Sequence, residues 1–491
     1  QARQQPAAPP PRRPAYKRRC PAAMAGTGTP ETTKAAQKAA PVASPFFQES
    51  AEAPSTEQTK YVVITGGTIS GLGKGTTISS IGVVLRSHGI RVTALKVDPY
   101  LNVDAGTMSP FEHGEVYVLE DGGEADLDLG NYERFLDVTL TSNHSVTSGK
   151  IYDRVIKQER KGQYLGKTVQ MVPHVTDAIQ DWITDVAQQP VDRSSMKPQV
   201  CLVELGGTVG DIESAVYLEA LQQFKFKVGS ENFLMVHLGM VPVIGATGEQ
   251  KTKPCQHSVK ILREAGLKPD LLMCRSELPV EADTKKKLSL FCQVPVECVI
   301  SLHDVSNLYR VPLILAEQNV GALICKHFCL GKEVSERVSK TVSLNQGVLP
   351  EDSANKRLAD WAVIAERTDK CKDEVAIAVV GKYTGNPDAY ASVVKALQHA
   401  AMEAGLKLKL LWVDSSSLEP NTQKLEPARF TAAWEVLKTA EGVLVPGGFG
   451  NRGIEGKVAC AGYCRTAKIP YLGICVGLQT AIIEFARSEL G

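Results

Sequence analysis

The chain has 491 residues, of which 43% are apolar and 22% charged, with a formal net charge of +1. This length predicts two or three domains, and the balanced charge gives no electrostatic reason to expect nucleic acid or a membrane surface as a partner. No apolar run approaches the roughly 18 residues of a membrane span. The 12 cysteines are too scattered for a disulfide framework, so we expect a cytoplasmic protein in a reducing compartment.

The N-terminal stretch has a different composition from the rest of the chain. Residues 1–58 are rich in Ala, Pro, Ser, Thr and Gln and poor in large apolar residues, which predicts a disordered extension. Basic residues, and no acid, precede Glu31, a pattern that also fits an organellar transit peptide. We favour the simpler interpretation that translation starts at Met24 and that the stretch before it is untranslated sequence.

From Tyr61 onward, short β-rich runs alternate with segments of helical periodicity, the first of which is 76–88. The predicted strands of this part are 61–65, 90–96, 200–205, 233–238, 271–274 and 298–303. Continuous apolar strands separated by helices are typical of a parallel sheet covered on both faces. We therefore predict a doubly wound α/β domain over residues 59–330.

A second α/β domain is predicted after a polar linker with helical pieces at 331–373. The alternation restarts with predicted strands at 374–383, 407–414, 442–448 and 470–475. Helices are predicted between them at about 388–404 and 426–440. This second domain spans residues 374–491.

A glycine-rich run, TGGTISGLGKGTT at 65–77, joins the first predicted strand to the first helix. It departs from the standard phosphate loop G-x-x-x-x-G-K-[ST], because Thr68 replaces the first glycine and Gly75 follows Lys74. Strand, glycine loop and helix N-terminus still favour an anion, with Lys74 as a charge for phosphates and Thr76 in reach of a metal. The glycines that let a phosphate approach the backbone are Gly66, Gly67, Gly71, Gly73 and Gly75. A dinucleotide fingerprint fits less well because its third glycine is missing, and a structural turn is the simplest alternative.

Acidic residues near this loop are candidates for a magnesium site, because Mg²⁺ prefers hard oxygen ligands. Glu204 ends a buried predicted strand, which is the edge where open α/β sheets place ligands. Asp126 and Asp128 share one face if their segment is extended. We predict that Mg²⁺ binds among these acids, with a solvated acidic loop as the alternative for residues 120–130.

Long motifs carry a resemblance to a known family: TGGTISGLGKG (65–75), LKVDPYLNVDAGTMSPFEHGEV (95–116), EDGGEADLDLGNYERF (120–135), VELGGTVGDIES (203–214), GEQKTKPCQHSVK (248–260), VPGGFGNRG (445–453) and PYLGICVGLQ (470–479). Through them, residues 60–491 closely resemble the CTP synthase family, and the unusual glycine loop is that family's own. The resemblance implies an ATP-dependent amidoligase. ATP would phosphorylate the 4-oxygen of UTP, and ammonia from glutamine would displace the phosphate to give CTP.

The resemblance also assigns residues to the amidoligase chemistry. Lys74 and Lys96 would serve the phosphates and the transfer, while Asp128 and Glu204 would hold Mg²⁺. Nucleotides would be bound by Ser70, Gly71, Gly73, Lys74, Gly75, Thr76, His113, Lys251, Lys253, Gln256 and Lys287. GTP is implied as an allosteric activator, and a homotetramer that can stack into filaments is implied as the assembly.

The second domain resembles a class I glutamine amidotransferase. GICVG at 473–477 is the G-x-C-x-G form of a nucleophile elbow, and the following helix would favour a thiolate at Cys475. The resemblance places Gly447 and Gly448 at an oxyanion hole, and Phe449 and Gln479 at the glutamine site.

Other cysteines are paired in the sequence at a spacing of four residues. Cys325 and Cys329 form one pair, and Cys460 and Cys464 form the other, both at helical spacing. We expect no zinc site there, because neither pair has a second pair nearby.

The family's glutaminase pairs its cysteine with a later His-x-Glu segment, yet none of the nine histidines follows Cys475. We therefore expect a truncated chain or an incomplete gene model, with an incompetent glutaminase half and a whole amidoligase site. The alternative is a truncated subunit that acts mainly as an assembly partner of full-length chains. A different phosphate-loop amidotransferase, such as a cobyric acid synthase, is disfavoured because GEQKTKPCQHSVK points to UTP.

Overall fold

The computed structural model describes residues 58–245, 248–330 and 353–491. These residues belong to one compact unit. The predicted N-terminal extension, apart from residue 58, and the proposed start at Met24 lie outside the described residues. So does the part of the predicted linker at 331–352.

A seven-stranded parallel sheet forms the centre of the first part of the chain. The strands of this part are β1 Lys60–Gly66, β2 Val92–Asp98, β3 Val116–Val118, β4 Glu124–Asp126, β5 Ser145–Thr147, β6 Val200–Leu205, β7 Phe233–Met240, β8 Val243–Ile244, β9 Glu249–Gln250, β10 Leu271–Ser276 and β11 Val299–His303. The sheet has the order β11-β10-β7-β1-β6-β2-β5, and β3–β4 and β8–β9 are separate antiparallel pairs. The predicted parallel sheet is confirmed.

Helices cover both faces of this sheet. They are α1 Lys74–Ser87, α2 Pro110–His113, α3 Leu127–Leu136, α4 Ser148–Arg160, α5 Thr176–Val186, α6 Ala215–Val228, α7 Lys253–Glu264, α8 Ala282–Cys292, α9 Val311–Glu317 and α10 Val320–His327. Side chains of β1 alternate between two cores, with Val62 and Ile64 in one and Tyr61 and Val63 in the other. This alternation explains why the strand reads as a continuous apolar run.

A second parallel sheet, of order β13-β12-β14-β15, follows. Its elements are α11 Ser353–Lys370, β12 Glu374–Gly381, α12 Ala391–Glu403, β13 Lys407–Asp414, α13 Pro420–Leu425, α14 Pro427–Lys438, β14 Gly442–Val445, α15 Ile454–Ala467, β15 Tyr471–Gly473 and α16 Val476–Phe485. The strands predicted at 442–448 and 470–475 both end early. Gly448 has a φ of 151°, and Cys475 has a φ of 54°, so neither residue continues an extended strand.

Contacts join the two sheets within the compact unit. The ring of Phe135 in α3 lies 5.0 Å from that of Trp361 in α11, and the Tyr309 hydroxyl lies 3.0 Å from His399 Nε2 in α12. The side-chain amide of Asn386 donates to the carbonyl of Pro110 at 3.0 Å. Within the ranges that the structure describes, no helix is long and apolar enough to cross a membrane.

The cysteine pairs differ from the sequence expectation in one respect. Cys460 and Cys464 lie one turn apart in α15, as predicted. Cys325 lies in α10, but that helix ends at His327, and Cys329 has a φ of 51°. The helical spacing of this pair therefore does not correspond to two helical residues, because the left-handed backbone at Cys329 turns the chain away from the helix axis.

A buried histidine lies at the C-terminal end of α1. His88 packs against α10 so closely that a Cβ added at Gly321 would lie 2.6 Å from its Nε2. Its Nδ1 has no hydrogen-bond partner among the described residues. Burial lowers the pKa of His88 to about 4, compared with about 6.5 in an unfolded chain. The stability that this neutral imidazole contributes is therefore present above about pH 6.5 and is lost as the pH falls through about 4.

We expect the free energy of unfolding to fall less steeply between pH 6.5 and 4 in a His88→Gln variant than in the parent protein. The difference in slope has an upper limit of about 1.4 kcal/mol per pH unit, the value for one proton. Denaturant unfolding at several pH values measures it. The adjacent buried Ser87 carries no titratable group, so Ser87→Ala should shift the curve without changing its slope. Equal slopes for His88→Gln and the parent would contradict the prediction.

Candidate active site

The glycine-rich loop connects β1 to α1. Gly73 has a φ of 94° and immediately precedes the helix, so Lys74 becomes its first residue. The Lys74 ammonium donates to the carbonyl of Gly207 at 2.6 Å, and a Cβ added at Gly66 would lie 2.9 Å from it. The Lys74 side chain thus lies back along the loop, at the carboxyl end of the sheet, where a helix N-terminus also favours an anion.

Lys96 is buried at the carboxyl end of β2 among three carboxylates. Its ammonium lies 3.4 Å from Glu204 Oε1 and 3.7 Å from Asp98 Oδ1, and it pairs directly with Asp128 Oδ2. The strand order explains this cluster, because β2 pairs with β6 and Lys96 stands opposite Glu204 in the register. The predicted residues Lys96, Asp128 and Glu204 therefore meet at one point.

Burial and the charges of neighbouring groups shift the pKa of Lys96 in opposite directions. Burial alone would lower the pKa of Lys96, but Asp128, Asp98 and Glu204 outweigh it and raise that pKa above its usual value. Burial raises the pKa of Asp98 to about 7, although Lys96 counteracts the shift. Burial also raises the pKa of Glu204. The cluster is thus short of positive charge, since one lysine faces three carboxyl groups.

Asp128 and Glu204 are placed as a pair of Mg²⁺ ligands would be. Each turns one oxygen to Lys96, and a Cβ added at Gly75 would lie 3.0 Å from the other oxygen of Asp128 and 3.3 Å from that of Glu204. Asp98 Oδ2 is buried without a hydrogen-bond partner among the described residues. No group of three or more His, Cys, Asp or Glu side chains is arranged around a metal position in the described ranges. Two carboxylates still suit Mg²⁺, which usually takes its other ligands from water and phosphate.

Asp126 and Asp128 do not share one face of an extended segment, as the sequence had suggested they could. The segment is not extended, because Asp126 ends β4 and caps α3, where its Oδ1 accepts from the backbone N–H of Asp128. Asp128 is consequently in the first helical turn and points to Lys96. Asp126 instead satisfies the start of the helix.

The residues expected to bind UTP lie around the start of α7. Lys253 begins that helix, with its ammonium 5.7 Å from the centre of the Phe291 ring. The Gln256 amide donates to the Thr252 hydroxyl at 2.9 Å. The Lys251 ammonium pairs with the Glu249 carboxylate at 2.6 Å and lowers the pKa of Glu249. Lys287, an exposed residue of α8, contributes to the same lowering.

The remaining nucleotide-site candidates lie near the glycine loop and β2. Ser70 and Gly71 are exposed, and Thr76 is half-buried in the first turn of α1. His113 is exposed at the end of α2, with its ring 6.3 Å from that of Tyr100. These side chains remain accessible to a ligand.

Cys475 forms a nucleophile elbow between β15 and α16. Its φ of 54° and ψ of −111° lie outside the regions that ordinary residues favour. The flanking glycines make this bend possible, because a Cβ at Gly477 would lie 2.0 Å from the carbonyl oxygen of Val445. A Cβ at Gly473 would lie 2.5 Å from the carbonyl carbon of Gly477. The predicted G-x-C-x-G motif thus has a steric basis.

The loop after β14 faces Cys475, and two buried lysines hold it from behind. A Cβ added at Gly447 would lie 3.8 Å from Cys475 Sγ. Lys457 donates to the carbonyl of Pro446 at 2.8 Å, and Lys382 donates to the carbonyl of Phe449 at 2.6 Å. Burial, followed by the charge of Lys382, lowers the pKa of Lys457 to about 8. With its carbonyls engaged in this way, the loop can turn N–H groups toward an oxyanion.

The other three candidates of this half are Gly448, Phe449 and Gln479. Gly448 has a φ of 151° and packs near Lys382, and the side chain of Phe449 is almost fully exposed. Gln479 is exposed on the first turn of α16, where its backbone N–H donates to the carbonyl of Cys475 at 3.1 Å.

Sequence reasoning missed several residues of these sites. Asp98 is the last residue of β2 and Glu204 the penultimate residue of β6, so the same strand-end signal was available. Tyr132 donates a hydrogen bond to Glu204 from α3, and Lys457 and Lys382 hold the loop after β14. Nothing in the spacing of these last three residues indicates such roles.

Comparisons with known proteins agree with this geometry. The pattern of the CTP synthase N-terminus matches residues 60–330, and that of class-I glutamine amidotransferase matches residues 386–489. A CTP synthase of Dictyostelium discoideum is 55% identical over 436 residues, which cover 88% of this chain and 75% of that protein. CTP synthase 2 of Xenopus laevis is 53% identical over 431 residues, covering 88% of this chain and 72% of that protein. CTP synthase 1 of Homo sapiens is 52% identical over 432 residues, covering 88% and 70%. The chain therefore belongs to the CTP synthase family.

Proposed function

We propose that this protein aminates UTP to CTP at the expense of ATP, through a 4-phosphorylated UTP intermediate and with ammonia that glutamine supplies in the full-length family. The observation that carries the proposal is the convergence of Lys74, Lys96, Asp128 and Glu204 beside a glycine-rich loop at the carboxyl end of a parallel sheet. That arrangement suits phosphoryl transfer, which depends on positioning and on cations rather than on a strong protein nucleophile.

In the first step, the 4-oxygen of UTP attacks the γ-phosphorus of ATP, and ADP leaves. The start of α1 and the Lys74 ammonium bind the phosphates, and Lys96 balances charge that develops beside Asp128 and Glu204. These two carboxylates would hold Mg²⁺, which supplies charge neutralisation to the phosphates when it is bound. In the second step, ammonia attacks C4 and inorganic phosphate leaves, which gives CTP.

UTP is bound, in this proposal, by the basic and polar residues at the start of α7 and on α8. Lys251, Lys253 and Lys287 offer charge to the triphosphate, and Gln256 offers an amide. Ser70 and His113 complete the nucleotide contacts from the loop and from α2. We further propose GTP as an activator, a cytoplasmic location and a homotetramer that can stack into filaments, on the basis of family membership.

Glutamine hydrolysis is assigned to the second sheet. Cys475 would attack the side-chain amide of glutamine, with the oxyanion held by the loop of Gly447 and Gly448. Phe449 and Gln479, both exposed near this elbow, would contact the substrate.

The first test concerns Lys74. We expect Lys74→Ala to lower ammonium-driven CTP synthesis by on the order of a thousandfold, because a cation that stabilises a transferring phosphoryl group contributes several kcal/mol. Synthesis is measured as CTP formed from UTP, ATP, Mg²⁺ and ammonium chloride. The matched control is Lys260→Ala on α7, since Lys260 is exposed and its ion-pair partner within the described ranges is the equally exposed Glu264, at 3.5 Å. Near-normal turnover in Lys74→Ala would refute the phosphate-loop assignment, and no CTP from the parent protein would favour an assembly partner instead.

A second test addresses the metal. We expect Asp128→Asn and Glu204→Gln to raise the Mg²⁺ concentration needed for half-maximal synthesis by about tenfold or more, because the amide keeps the shape of the side chain but loses its charge. Magnesium titrations of CTP formation measure this, and Glu264→Gln serves as the exposed control. If both variants kept the parental requirement while still making CTP, other residues would hold the metal.

The nitrogen source provides a third test. None of the hydrogen bonds found among the described residues, which include all nine histidines, joins a histidine to the Cys475 thiol. A positioned general acid–base contributes about a hundredfold or more to rate. For the polypeptide of residues 1–491 we therefore expect ammonium to support CTP synthesis at least about a hundredfold faster than glutamine. Comparable rates from the two sources, on one preparation, would show that a base serves Cys475.

A further inference from the structure

A buried chain of hydrogen bonds runs behind the phosphate loop. The Thr65 hydroxyl in β1 lies 2.9 Å from His237 Nδ1 in β7, and His237 Nε2 lies 2.9 Å from the Ser258 hydroxyl in α7. The Ser258 hydroxyl in turn donates to the carbonyl of Cys255 at 2.9 Å. Thr65, His237 and Ser258 are all buried, so water does not compete for these bonds.

The direction of each bond follows from counting protons. The single hydroxyl proton of Ser258 is used on the Cys255 carbonyl, so the Ser258 oxygen must accept from His237 Nε2–H. A neutral imidazole protonated at Nε2 has an acceptor at Nδ1, to which the Thr65 hydroxyl donates. Among the described residues, the other acceptor for that hydroxyl is the Met235 thioether at 3.9 Å, which is a weaker partner. The chain of donors therefore runs from Thr65 through His237 and Ser258 to Cys255.

The environment keeps His237 neutral, as this direction requires. The side chain is fully buried, and burial, together with the charge of Lys74, lowers its pKa to about 3. A proton on Nδ1 would instead donate to the Thr65 oxygen, and among the described residues the Thr65 hydroxyl proton would then be left with the weak Met235 thioether as its acceptor.

The two ends of this chain of hydrogen bonds belong to the two proposed nucleotide sites. Thr65 is the penultimate residue of β1, just before the glycine-rich loop. Gly67 in that loop packs against Ser258, since a Cβ added at Gly67 would lie 3.3 Å from the Ser258 hydroxyl. The Cys255 carbonyl, at the other end, belongs to the first turn of α7, between Lys253 and Gln256. These hydrogen bonds thus connect the loop expected to bind ATP with the helix that carries the residues expected to bind UTP.

We propose that His237, held as the Nε2–H tautomer between Thr65 and Ser258, is a positioning residue that aligns the phosphate loop with the start of α7. The alignment brings the γ-phosphate of ATP and the 4-oxygen of UTP into line. This kinetic role rests on the proposed function, whereas the tautomer and the link between β1 and α7 do not.

Nitrogen-15 NMR of histidine-labelled protein tests the link itself. The His237 signals are identified by their loss in His237→Gln. We expect a protonated Nε2 and an unprotonated Nδ1, in a state that does not titrate between pH 6 and 8. A proton on Nδ1, or on both nitrogens, would overturn the proposal, whatever substrate the enzyme uses.

Kinetics of Ser258→Ala test the positioning role. We expect kcat for ammonium-driven CTP synthesis to fall by about tenfold to a hundredfold, as for small misplacements of reacting groups, with KM for ATP and UTP changed by less than about threefold. Ser87→Ala is the matched control, because the Ser87 hydroxyl is also buried and donates to the carbonyl three residues earlier, that of Val84, at 2.7 Å. Its kcat should stay within about twofold of the parent.

A double variant separates alignment from general loss of packing. Thr65→Val and Ser258→Ala interrupt the same chain, so their effects on kcat should not multiply when they are combined. Equal kcat values for Ser258→Ala and Ser87→Ala, or fully multiplicative effects in the double variant, would overturn the positioning role. Failure of the parent protein to make CTP from UTP would instead refute the proposed function, and the tautomer measurement would still decide whether the link exists.

Discussion

The candidate amidoligase site depends on one buried cation. Lys96 lies among Asp98, Asp128 and Glu204, and burying carboxylates side by side would be strongly unfavourable without it. The strand order brings β2 next to β6, so the lysine of one strand stands opposite the glutamate of the other. Loss of one partner from such a buried cluster typically costs about 3–5 kcal/mol. The same interaction therefore holds the edge of the sheet together and places the acidic groups beside the phosphate loop.

The glutaminase half uses buried lysines for a different purpose. Lys382 and Lys457 bond to backbone carbonyls of the loop after β14 rather than to carboxylates. They thereby fix the peptide orientation opposite Cys475 without any ligand being needed. In both halves, a lysine that is inaccessible to solvent sets the geometry of groups that face the substrate. Buried lysines thus preorganise both halves, by bonding to carboxylates in the first half and to backbone carbonyls in the second.

Local patterns predicted the strands well, and they also predicted the succession of strand, glycine-rich loop and helix around Lys74. The run predicted at 200–205 forms a strand with these bounds, and Lys74 follows its glycine loop at the start of a helix. Prediction failed where a helix boundary, or a partner distant in the sequence, decides what a side chain does. Asp126 and Asp128 looked equivalent, but a helix cap separates their roles. His237 read as one more residue of a buried strand, because its partners come from β1 and α7 and periodicity carries no information on which elements become neighbours.

One departure of the loop from the usual motif, the glycine that follows Lys74, has a steric explanation. Other phosphate loops carry a serine or threonine there, whose hydroxyl helps to hold the metal. In this fold the carboxylates of Asp128 and Glu204 approach Gly75 so closely that they fill the space such a hydroxyl would need. In the proposed site, the oxygens that would hold Mg²⁺ come from α3 and β6 rather than from the loop. A change of Gly75 to serine would bring the sequence closer to the general motif, and the added Cβ would crowd the two carboxylates, whose nearest oxygens lie 3.0 and 3.3 Å from its position.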